Sequence, residues 1–79
     1  MTRDELIAAV LVHEHEGHPY FVALDEIPEP WREQFGDALF GCQMPVFAGF
    51  KRCAYAWDWE AWVRGKWLGS NRVPEGLQP

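Results

Sequence analysis

The sequence predicts one small α+β domain whose helices lie on a single face of a small antiparallel sheet. Three observations predict it. Two segments carry apolar residues at helical spacing, two short strand-like runs flank a glycine turn, and five tryptophans stand in only 79 residues. Large rings bury much area per residue, so a chain this short can offset its conformational entropy without a metal or a disulfide.

Each element has its own signal in the chain. Thr2 is placed to N-cap a first helix, with Glu5 reaching back in a capping box. Leu6, Ile7, Val10 and Leu11 then recur at helical spacing, and Gly17 with Pro19 beyond it marks the stop. Residues 20–24 are apolar and bounded by Pro19 and Asp25-Glu26, the pattern of a buried strand. Pro30 suits the first turn of a second helix, along which Trp31, Phe35, Ala38 and Leu39 recur up to Gly41. Residues 44–47 and 52–56 read as a hairpin around Ala48-Gly49, with Pro45 placing its first strand at a sheet edge. Asp58 is expected to cap a third helix carrying Trp59, Trp62 and Val63 and ending near Gly65. The predicted order is α-β-α-β-β-α over residues 1–68, with 69–79 a flexible C-terminal tail.

Charge is unevenly spread. The net charge is −5, yet nine acids and one base stand between Asp4 and Asp37. That half would repel nucleic acid and attract basic surfaces. Glu14, Glu16, Asp25, Glu26, Glu29, Glu33 and Asp37 are the candidate partner-binding residues. Ordinary solubility explains such a charge equally well.

His13, His15 and His18 lie within six residues, and zinc ligation with Cys42 or Cys53 is the chemistry to weigh against them. Gly17 stands where a His-Glu-x-x-His motif needs its second histidine, and i, i+2 residues diverge on a helix. The sequence favours a solvated helix end, its imidazoles near the negative dipole, and no metal or other cofactor. Cys42 and Cys53 form no Cys-x-x-Cys pair and read as buried structural thiols. There is no phosphate loop or nucleophile elbow, and a domain this short has little room for a dry catalytic pocket. The chain is therefore expected not to be an enzyme. Free thiols and the absence of a signal-like or membrane-length apolar run point to the cytoplasm, without membrane contact.

The run Tyr55-Ala56-Trp57-Asp58-Trp59-Glu60-Ala61-Trp62 with Trp67 raises nucleic-acid stacking. Helical spacing of Trp59 and Trp62 and the acidic total favour core packing instead, with Trp57 or Trp67 left as an exposed anchor.

Ile27-Pro28-Glu29-Pro30-Trp31, Gly41-Cys42, Pro45-Val46 and Cys53-Ala54-Tyr55-Ala56-Trp57-Asp58-Trp59-Glu60-Ala61-Trp62 resemble segments of small proteins carried on proteobacterial plasmids, phages and integrated elements. Small acidic proteins of such elements resemble anti-CRISPR proteins. The resemblance implies a non-enzymatic inhibitor that docks its acidic face on a basic, nucleic-acid-handling surface of a type I CRISPR surveillance complex and blocks target DNA. Such a protein would be a monomer or weak dimer and would not itself touch nucleic acid. A second reading stays open, a structural or regulatory adaptor or antitoxin-like protein that binds a protein partner through its aromatic C-terminal half.

Overall fold

The computed structural model describes residues 1–42, 46–49 and 51–69. Helix α1 (Arg3–Ala9) opens on the expected capping box. Thr2 Oγ1 accepts from the Glu5 N–H at 3.1 Å, and Glu5 Oε1 accepts from the Thr2 N–H at 3.2 Å. The helix stops earlier than its apolar stripe predicts, because Val10 is already extended. Leu6 and Val10 are buried, while Leu11 and Val12 are exposed.

The histidine segment is not the polar helix end expected of it. His13–His15 is strand β1, paired antiparallel with β2 (His18–Ala23). The turn between them has Glu16 at φ 53 and Gly17 at φ 82, the two left-handed central residues of a type I′ turn. Such a turn matches the strand twist and lets the hairpin displace another turn of helix. The register slips by one residue between His13↔Phe21 and His15↔His18, so that Pro19 and Tyr20 of β2 together oppose Glu14, the arrangement of a β-bulge.

A 3-10 helix, Leu24–Glu26, leads to α2 (Trp31–Cys42), then β3 (Val46–Ala48), β4 (Lys51–Tyr55) and α3 (Ala56–Val63). The expected order holds with one strand inserted, and the fold is a mixed α+β domain on a four-stranded sheet ordered β1-β2-β4-β3. All its pairs are antiparallel. Strand β3 is an edge, as expected, although Pro45 itself lies outside the described residues. Met44 and the proposed tail beyond Gly69 lie outside them too.

Pro30 sits just ahead of α2, its carbonyl accepting from the Gln34 N–H at 3.3 Å. Asp58 is not the cap of α3. Tyr55 ends β4 and serves as the cap residue without a side-chain bond, and Asp58 sits in the first turn. Its Oδ1 accepts from Trp67 Nε1 at 3.1 Å. The far end closes as expected near Gly65. Gly65 at φ 74 lets its own N–H reach the Trp62 carbonyl and the Lys66 N–H reach that of Ala61, a Schellman pair.

Strand alternation divides the core in two. Val22 and Ala54 face the helices and join Leu6, Leu39, Trp59 and Val63 in the main core. Phe35 is its hub, with the rings of Trp59, Trp62 and Trp67 at 5.2, 5.0 and 6.2 Å. On the opposite face, Phe21, Ala23 and Cys53 are also buried, under Val46, Ala48 and Tyr55. A cleft there of about 320 Å³ is lined by β1 and by the β3–β4 hairpin, so the sheet curls and brings its two edges toward each other.

Candidate functional site

The β4–α3 junction needs no loop, since Tyr55 is both the last strand residue and the helix cap. Trp59, Trp62 and Val63 take the buried side of α3, which turns Trp57 outward. Trp57 remains 53% exposed, yet its ring lies flat on Tyr55 at 4.6 Å and 8°. Tyr20 of β2, 41% exposed, meets the same indole at 5.3 Å. His18 stacks on Tyr20 at 5.6 Å, and Phe21 approaches Tyr55 at 5.7 Å. The result is a continuous aromatic row from the hairpin turn to the start of α3, wet on one side and anchored in the sheet on the other. A Trp held this way has little side-chain entropy left to lose on binding.

Of the two exposed-anchor candidates, only Trp57 is exposed. Trp67 is buried and tied to Asp58. Tyr55 stood in the aromatic run read from the sequence, but Tyr20 did not, because only the register Phe21↔Tyr55 brings β2 beside that run.

The seven candidate acids fall on three separate elements. Glu14 and Glu16 belong to the hairpin, Asp25 and Glu26 to the 3-10 helix, and Glu29, Glu33 and Asp37 to the entry and outer side of α2. Six are exposed, and Glu26 is half-buried. Glu26 is engaged within the fold, with Oε1 at 2.6 Å from His13 Nε2 and Oε2 at 3.7 Å from Lys51 Nζ. The His13 hydrogen bond is the main reason its carboxyl is held below the usual glutamate value. Glu29 pairs with Arg32 at 3.4 Å, and Glu16 lies 3.8 Å from His15. Glu14, Asp25, Glu33 and Asp37 have no ion pair among the described residues.

The histidines are dispersed in role. His13 and His15 line the concave cleft with Cys53, whereas His18 stacks on Tyr20. Among the described residues no three His, Cys, Asp or Glu side chains converge on a metal-sized space. Cys53 is buried, donates to the Lys51 carbonyl at 3.6 Å, and has its thiol pushed up by burial, the opposite of an activated nucleophile. The Cys42 side chain lies outside the described part of the chain. No helix among the described residues is long and apolar enough to cross a membrane.

Chemically, the surface offers a rigid aromatic platform and scattered carboxylates. No known protein family, curated protein or solved structure matches this chain.

Proposed function

We propose that this protein works in the cytoplasm as a non-enzymatic binding module, with the Tyr20–Trp57–Tyr55 row as its anchor on a partner protein. The observation that carries this reading is Trp57, 53% exposed and stacked at 4.6 Å on Tyr55. Trp and Tyr dominate the energetics of protein interfaces, and rings already ordered in the free protein bind at low entropic cost. Affinity capture from the producing cell, quantified for wild type and Trp57→Ala, tests it. A partner enriched by wild type and lost with Trp57→Ala is expected; equal enrichment by both overturns the aromatic anchor.

A second reading rests on charge. Glu33 and Asp37 stand one helical turn apart on α2, both exposed and without an ion pair among the described residues, a like-charge arrangement that mildly weakens a free helix. Together with Asp25 and Glu14, they support docking on a basic surface built for nucleic acid, as in inhibition of a type I CRISPR surveillance complex. Gel-shift competition between this protein and target DNA, across purified complexes and two salt concentrations, checks it. Loss of the DNA shift, weakened by salt and by Glu33→Lys with Asp37→Lys, is the expected result. An undisturbed shift removes this reading for the complexes tried. Glu26 is unsuited to charge reversal, because it also holds His13 and Lys51.

A further inference from the structure

We propose that the groove between α2 and β4 is a binding site for a small organic anion with an apolar or aromatic body. The groove encloses about 390 Å³, within the range of small-molecule sites. Leu24, Gly36 and Phe40 supply its apolar lining, and Arg32, Lys51, Arg52 and Asp25 its charged lining.

Charge is the first argument. The chain has a net charge of −5 and seven lysines and arginines in all, yet three of them meet around this groove against one carboxylate. Glu29 partly offsets Arg32 and Glu26 partly offsets Lys51, but Arg52 has no carboxylate partner among the described residues. Its guanidinium lies 4.5 Å over the Phe40 ring, which orients it and leaves its N–H donors for an incoming oxyanion. Arg32 is likewise fixed in direction, because its Nε donates to the Ile27 carbonyl at 2.9 Å. The open fork of Arg52, with the remaining donors of Arg32 beside it and an apolar lining, fits a carboxylate or phosphate joined to a ring.

Gly36 is the second, independent argument. It lies in the interior of a twelve-residue helix, where glycine is costly relative to alanine. The fold does not require it. Its φ is not left-handed, and a Cβ there would meet nothing closer than Phe40 Cε2 at 3.8 Å, an ordinary contact. What the missing side chain does provide is open space between Leu24 and Phe40. A helix interior that gives up stability to keep a cavity open is the pattern of a functional site.

The site is separate from the aromatic row and does not depend on the partner reading. Titration of the full-length ¹⁵N-labelled protein with phenyl phosphate, benzoate and neutral benzyl alcohol, followed by amide chemical shifts, tests it. Saturable shifts centred on Gly36, Phe40 and Arg52 are expected with the two anions and not with the alcohol, and the tighter anion identifies the head group. Arg52→Gln, an exposed change, should weaken binding at least tenfold. Gly36→Leu should abolish it while melting no lower than wild type. The proposal fails if the alcohol binds as well as the anions, if no saturable shift appears, or if Arg52→Gln binds like wild type. That last arm decides alone should Gly36→Leu not fold.

Discussion

His13 Nε2 lies 2.6 Å from Glu26 Oε1, fastening the outermost strand to the 3-10 helix at the other end of β2. A carboxylate only accepts, so the imidazole nitrogen carries the proton between them. Because this bond lowers the Glu26 carboxyl from its usual 4.5, the folded protein takes up that proton less readily than the unfolded chain. Its contribution to stability is complete above the usual value and is lost as pH falls through the lowered one. Glu26→Gln should therefore flatten the acid limb of stability against pH and cost about 1 kcal/mol at neutral pH. Urea denaturation from pH 7 to pH 3 checks it, and parallel acid limbs in variant and wild type would remove Glu26 from the account.

The hairpin turn is built on a residue poorly suited to it. Glu16 holds φ 53, a region that asparagine occupies more readily than glutamate. Glu16→Asn is expected to raise stability by about 0.5–1 kcal/mol, and Gly17→Ala to lower it by about 1 kcal/mol. Thermal melts read both, given that 1 kcal/mol moves the midpoint by about 4–8 °C in a domain of this size.

Trp67 contributes a ring to the core and a hydrogen bond to α3, and the two can be separated. Trp67→Phe keeps most of the ring but loses the bond to Asp58. Asp58→Ala keeps the ring and leaves the indole N–H unpaired. Each should cost about 1–3 kcal/mol, and the double variant should cost less than the sum, since one bond is being removed twice. Strict additivity would mean that the 3.1 Å contact carries no coupling energy.

Two aromatic truncations should behave in opposite ways. Phe35→Ala opens a hole among three tryptophans and should cost about 3–5 kcal/mol, enough to leave much of the population unfolded. Trp57→Ala removes a half-exposed ring and should cost about 1 kcal/mol or less. Circular dichroism at 25 °C separates them, and a Trp57→Ala protein that failed to fold would make the row structural and deprive it of a binding role.

The readable parts of the sequence were those where the apolar period and the end signals agreed. Thr2 with Glu5, and Trp31 with Phe35 and Leu39, gave α1 its start and α2 its face. The strand His13–His15 stayed hidden because its residues are all polar and its turn is Glu-Gly where Asn-Gly would have announced it. Asp58 misled for a related reason: a carboxylate near a helix start resembles a cap whether it bonds the backbone or, as here, an indole nine residues away. The aromatic row and the groove are tertiary. Tyr20 meets Trp57, and Phe40 meets Arg52, only through strand register and helix placement, which no local pattern encodes. Gly36 was the one sequence signal for the groove, an unexplained glycine inside a helical run.

The strand order β1-β2-β4-β3 sets how the chain must assemble. Each hairpin closes between near neighbours, His15 with His18 and Ala48 with Lys51, within microseconds for such units. The seam joining Val22 to Ala54 is the one strand pairing among the described residues that joins distant parts of the chain. The search for that seam should set the speed of folding. Ala54→Gly would then slow the folding limb of a chevron plot, and Glu16→Asn would speed that same limb, because its hairpin is formed before the barrier.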